Sequence, residues 1–277
     1  MTIRSTLSAA LVVTTALVAS AASAAETVVT LPSGVVGTLN IPDAGGTGAA
    51  VVLLHGFGSN RDEIGGIFVQ QAAALAEAGV ASLRIDFRGQ GESTVDAVDT
   101  TIEGMIEDSA AAREHLLALD GVDPNRVGVL GYSFGAAIAL LEADDYDAVA
   151  LWGQMGDLEG EFRAFLGDET FTKAAAEGKV DLDLGWRQIS LGENFFESLG
   201  RNALADAFAG YKGPFLTLAG AEDPAAGYFD QFLGLAAGEK SSVIIPGTDH
   251  MLGVYNNQPE IAADVVARTT AWFSANL

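Results

Sequence analysis

A chain of 277 residues with 49% hydrophobic and 18% charged residues is long and apolar enough for one large globular domain, which excludes intrinsic disorder. The formal charge of −23 gives a surface that repels nucleic acid and anionic membranes, so neither is expected as a partner. The absence of cysteine excludes a disulfide framework and a lipoprotein anchor.

Residues 1–24 read as a secretory signal peptide. Arg4 supplies the positive start, residues 7–18 are mostly apolar, and Ala22-Ser23-Ala24 offers small residues for cleavage. The apolar run falls short of the roughly 20 residues a membrane span requires, and no later run reaches that length. A protein exported to the periplasm or beyond, soluble once processed, is therefore expected. Loss of Arg4 leaves 37 acidic against 13 basic residues, a formal charge of −24.

Residues 27–30 and 35–41 read as short edge strands around a Pro-Ser-Gly turn. Residues 49–54 are continuously apolar, the mark of a strand buried on both faces. A helix over 68–78 stops at Gly79, and 80–85 forms the next strand. An amphipathic helix covers 101–119, a third buried strand 127–130, a helix 136–141 and a fourth strand 149–152. From 153 to 211 apolar and acidic residues mix without clear strand alternation, which predicts an inserted, mainly helical cap. The regular pattern returns with a strand at 215–219, a helix around 229–236, a strand at 242–245 and a helix over 259–276. Alternating strands and helices predict an α/β fold with a doubly wound, mostly parallel sheet. The division expected is a core of residues 25–152 and 212–277 with a cap of residues 153–211.

Gly131-Tyr132-Ser133-Phe134-Gly135 lies between a buried strand and the helix that follows it. Such a turn strains the serine backbone, demands small neighbours, and lifts the hydroxyl above the sheet near a positive helix N-terminus. An alcohol is a poor nucleophile at neutral pH and needs an oriented histidine beside it. The three histidines differ in setting. His115 lies within an amphipathic helix, His55 ends the first buried strand, and His250 sits on a loop after the strand 242–245. The carboxyl edge of an open sheet is where ligands bind, so His250 is the expected base. Asp223, after the strand 215–219, is the expected orienting acid, with Glu222 its nearest competitor. The oxyanion needs at least two N–H donors, and the amides of Phe134 and Phe57 are the candidates, Phe57 being flanked by Gly56 and Gly58. Met155, Trp186, Phe195 and Phe196 are candidates for the substrate pocket. No H-E-x-x-H or similar ligand cluster is present, so no metal or other cofactor is expected.

From about residue 49 to the end the chain resembles the α/β-hydrolase superfamily. Asp86-Phe87-Arg88-Gly89-Gln90-Gly91-Glu92-Ser93 is similar to the family's D-x-R-G-x-G-x-S turn, which the resemblance makes a structural segment beneath the active site. Residues 55–60, His-Gly-Phe-Gly-Ser-Asn, are similar to the oxyanion segment of the cinnamoyl (feruloyl) esterase branch. Trp186-Arg187, Asn194-Phe195-Phe196 and Tyr211-Lys212-Gly213-Pro214 resemble that branch's cap. What the resemblance implies is hydrolysis of small carboxylic esters, hydroxycinnamates among them, as small-molecule substrates. Tyr132 stands where lipases commonly have histidine, and Ala136 replaces a second glycine; both leave the substrate class open. Serine at 133 argues against dehalogenase, epoxide hydrolase and dienelactone hydrolase chemistry. Two alternatives stay open: an exported serine peptidase or amidase using the same triad, and a non-catalytic binding protein, which predicts a degenerate triad.

Overall fold

The computed structural model describes residues 25–43, 46 and 48–277, so the leader expected at 1–24 lies outside the described residues. The chain begins with strands β1 (Ala25–Thr30), β2 (Val36–Ile41) and β3 (Ala50–Leu54), followed by helix α1 (Ile67–Glu77). Strand β4 (Ala81–Ile85), helix α2 (Ile102–Leu117), strand β5 (Val127–Tyr132), helix α3 (Phe134–Leu141) and strand β6 (Ala148–Trp152) come next. Helices α4 (Leu158–Leu166) and α5 (Asp168–Glu177), strands β7 (Lys179–Asp183) and β8 (Gln188–Gly192), and helices α6 (Glu193–Arg201) and α7 (Leu204–Phe208) occupy the middle. Strand β9 (Phe215–Gly220), helix α8 (Phe229–Leu235), strand β10 (Lys240–Ile245) and helix α9 (Pro259–Asn276) close the fold.

Eight strands form one sheet in the order β1-β2-β4-β3-β5-β6-β9-β10, antiparallel across β1–β2 and β2–β4 and parallel elsewhere. Every residue of β3 is buried because helices cover both faces. Ala50, Val52 and Leu54 join one core with Met105 of α2 and Ile138 of α3. The alternate positions Val51 and Leu53 join the other, with Phe68 of α1 and Val265 of α9. This is the α/β-hydrolase architecture, and it places the carboxyl ends of β5, β6, β9 and β10 along one rim.

One expectation needs correction. Residues 35–41 were expected as an edge strand, but β2 is paired on both sides, with β1 and with β4, and five of its six residues are buried. The turn at 31–35 folds β1 outside it, so β1 alone takes that edge. The block after β6 also contains an antiparallel hairpin, β7–β8. Its period-2 signal, Val180 and Leu182 against acidic neighbours, is short and easily masked by the helical segments around it.

Candidate active site

Ser133 stands between β5 and α3 with φ 54° and ψ −114°, a left-handed conformation costly for any residue with a β-carbon. The turn is sharp because its neighbours have no side chains. A β-carbon on Gly135 would lie 2.0 Å from the Leu54 carbonyl oxygen, and one on Gly131 would lie 2.4 Å from the Gly135 carbonyl oxygen. The Ser133 amide donates to the Trp152 carbonyl at 2.8 Å, which ties the turn to the end of β6.

The fold brings the three widely separated residues together. The Ser133 hydroxyl lies 3.0 Å from His250 Nε2, and His250 Nδ1 lies 2.8 Å from Asp223 Oδ2. A carboxylate only accepts, so Nδ1 carries the proton and Nε2 is left to accept from the serine. The second carboxylate oxygen of Asp223 accepts from the Ala225 amide at 2.9 Å, where Asp223 caps a short 3-10 turn over 224–228. Burial depresses the His250 imidazole, but hydrogen bonding and charge from Asp223, with added charge from Glu63 and Asp249, outweigh it and raise its pKa above the ordinary 6.5. Glu222, the competing acid, is exposed. His115 sits partly exposed on α2.

Tyr132 holds His250 in a way its place in the sequence did not reveal. Its hydroxyl donates to the His250 carbonyl at 2.5 Å, and its ring stacks on the imidazole with centroids 5.4 Å apart at 21°. Glu63 is a second residue missed. It is buried with φ 60°, and its carboxylate accepts from the Gly56 amide at 2.6 Å and the Ser59 hydroxyl at 2.8 Å. An isolated acid in a loop carries no sequence signal for such a role. His55 is buried, and desolvation lowers its pKa. Its Nδ1 donates to the Gly56 carbonyl at 2.7 Å and its Nε2 accepts from the Phe87 amide at 3.1 Å, so it braces the loop as a neutral imidazole.

Those contacts hold residues 55–60 against the serine: a β-carbon on Gly56 would lie 3.5 Å from that of Ser133. The Phe134 amide is the first of α3, one of the donors a helix leaves without an internal acceptor. Among the described residues the Phe57 amide likewise has no backbone acceptor. The Asp86 turn lies behind this loop, its carboxylate accepting from the Arg61 amide at 2.7 Å and the Glu92 amide at 2.8 Å.

Ser133 and His250 open into a cleft of about 1050 Å³. Met155 and Trp186 line it, joined by Phe57, Phe162, Phe165 and Tyr228. Phe195 and Phe196, expected in the pocket, do not reach its wall. Both are buried: Phe195 stacks behind Phe57 with centroids 5.9 Å apart, and Phe196 packs edge-on against Phe171. The amphipathic α6 turns positions 195, 196, 198 and 199 into the core beneath the cleft. Phe162 and Phe165 take their place from α4, whose Asp157 cap and three-residue aromatic spacing were the overlooked signal. Among the described residues no group of three His, Asp or Glu side chains is placed to hold a metal, and no helix is long and apolar enough to cross a membrane.

Residues 51–265 match the model of the alpha/beta hydrolase family. A Mycobacterium tuberculosis protein described as uncharacterised is 28% identical over 221 residues, 79% of this chain and 66% of that protein. The chain thus spans about 66% of the length of the first curated relatives it matches. Among solved structures, Est1E of Butyrivibrio proteoclasticus with ferulic acid bound has a TM-score of 0.63 at 20% identity, covering 84% of this chain and 94% of that one. The esterase domain of a Rhodothermus marinus protein has a TM-score of 0.65 at 23% identity, covering 91% and 98%. At these identities the likeness is one of fold.

Proposed function

The chain belongs to the alpha/beta hydrolase family, and from that premise we propose that it hydrolyses carboxylic esters through an acyl-enzyme formed on Ser133. The observation that carries the reading is the unbroken relay from the Ser133 hydroxyl through His250 to the buried Asp223 at the floor of an apolar cleft.

In this mechanism His250 Nε2 takes the hydroxyl proton as Ser133 Oγ attacks the ester carbonyl carbon. The amides of Phe57 and Phe134 receive the negative charge that develops on the carbonyl oxygen, each worth roughly 3–4 kcal/mol in such a site. Collapse of the tetrahedral intermediate breaks the bond to the alcohol, which leaves with the proton from His250. Water, deprotonated by the same imidazole, attacks the acyl-enzyme, releases the acid and restores Ser133. Asp223 keeps the imidazole in the required tautomer and balances its charge while it is protonated.

Ser133→Ala should abolish hydrolysis of p-nitrophenyl acetate while the protein still unfolds cooperatively at the wild-type temperature; retained turnover would remove Ser133 from the mechanism. Aminoacyl anilides run beside the ester separate this reading from a peptidase or amidase, for which the anilide would be the better substrate. Export is part of the proposal and rests on residues 1–24 alone; N-terminal sequencing of the protein from a periplasmic fraction should begin at Ala25.

A further inference from the structure

Among the described residues Arg187 is the only arginine or lysine lining the cleft, and no carboxylate forms an ion pair with it. It stands in the turn between β7 and β8, where its Nη1 donates to the Ser59 carbonyl at 3.1 Å and its Nη2 to the Gly89 carbonyl at 3.3 Å. Both acceptors are neutral. Among the described residues no carboxylate oxygen comes within 4.0 Å of its guanidinium, whereas Arg61, Arg84, Arg88, Arg163, Arg201 and Arg268 each hold one. In a protein with 37 acids, this arginine lines the same cleft as the candidate nucleophile.

The nearby acids are otherwise engaged. Asp86 is paired with Arg61; Glu63 accepts from Gly56 and Ser59; Glu161 accepts from the Gly156 and Asp157 amides; Asp223 serves His250. Arg187 is partly buried, and burial pulls its pKa down while Asp86 pulls it up. A partly desolvated cation without a counterion is costly, and a ligand anion would offset that cost. Two of the five guanidinium N–H donors are engaged with carbonyls, leaving three for such a ligand. Anchoring of the β7–β8 turn does not depend on this charge, because Trp186 Nε1 also donates to the Gly58 carbonyl at 3.3 Å.

We propose that Arg187 binds a carboxylate borne by the substrate away from the scissile bond, so that the cleft selects esters with an apolar body and an anionic end. The proposal rests on the ester-hydrolase reading. It is tested with matched substrates in which one member carries the carboxylate: p-nitrophenyl half-esters of adipic and suberic acids against hexanoate and octanoate, and 4-acetoxybenzoate against phenyl acetate. The first set places the anion on the acyl side and the second on the alcohol side.

In at least one set, Arg187→Met should lower the ratio of kcat/KM for the charged over the neutral ester by tenfold or more, mainly through KM. Arg187→Lys should restore part of that ratio. If Arg187→Met leaves the ratio unchanged in both sets, whether rates fall together or not at all, Arg187 is only a latch and the proposal fails. If the wild type hydrolyses none of these esters, the ester reading fails instead. Binding then decides about Arg187: adipate should change the intrinsic fluorescence of Ser133→Ala protein and leave that of Ser133→Ala/Arg187→Met unchanged, and equal responses would overturn the anion site.

Discussion

Asp223→Asn changes one atom and should cost three to four orders of magnitude in kcat. The Ala225 amide donates to Asp223 Oδ1 at 2.9 Å, so the asparagine must keep its carbonyl oxygen on that side. Its NH2 group then faces His250 Nδ1, 2.8 Å away in the wild type, and the imidazole must turn to the tautomer that accepts there. That tautomer carries its proton on Nε2, which lies 3.0 Å from the Ser133 hydroxyl and can no longer accept from it. The imidazolium formed during attack also loses its partner charge. At an effective dielectric near 20, that attraction is worth about 4 kcal/mol at a separation of about 4 Å, or roughly a thousandfold in rate. Together with the wrong tautomer, the expected loss is about 10³–10⁴ in kcat. Initial rates with p-nitrophenyl acetate, alongside a thermal melt showing an intact fold, measure it. Glu222→Gln serves as the control, since Glu222 is exposed. A variant that keeps more than a tenth of wild-type kcat would refute the assignment of Asp223 as the orienting acid.

Three further outcomes follow from the same geometry. Because Asp223 raises the His250 pKa, kcat/KM should climb as the imidazole deprotonates, with a midpoint above 6.5; a flat profile from roughly pH 5 to 8 would remove His250 as base. Tyr132→Phe leaves the ring stacked on His250 but deprives its carbonyl of a donor, costing about 1–2 kcal/mol, or roughly 2–8 °C in Tm, with only a few-fold loss of kcat. An unchanged Tm would show that this hydrogen bond does not hold the loop. Glu142 is buried, and desolvation pushes its carboxyl up to about 8. A folded pKa above the unfolded one stabilises below about pH 4.5, and that contribution is lost as pH rises through about 8. Glu142→Gln should therefore gain stability over wild type with rising pH, by up to about 5 kcal/mol. Parallel denaturation curves for the two proteins from roughly pH 5 to 9 would contradict it.

What the chain order alone determined were features written in local pattern. The unbroken apolar run at residues 50–54, short and rich in β-branched valine, reads as a strand covered on both faces, and glycines at 131 and 135 permit a serine turn that larger residues would block. The convergence of Ser133, Asp223 and His250 was legible because each lies in the turn or loop after a parallel strand, β5, β9 and β10, and parallel strands bring their carboxyl ends to one rim. The roles of Tyr132, Glu63 and Arg187 were not legible. Each depends on a contact that local periodicity does not encode: Tyr132 on the His250 carbonyl 118 residues away, Glu63 on the Gly56 amide across a folded loop, and Arg187 on the Ser59 carbonyl 128 residues away. The cleft wall was misread for the same reason. Phe162, Phe165, Phe195 and Phe196 are chemically alike, and only the packing of α4 and α6 decides which rings face the cleft and which support it from behind. Backbone periodicity is a property of consecutive residues, whereas an exposed ring, an unpaired charge or a captured carbonyl is a property of what the fold places opposite it.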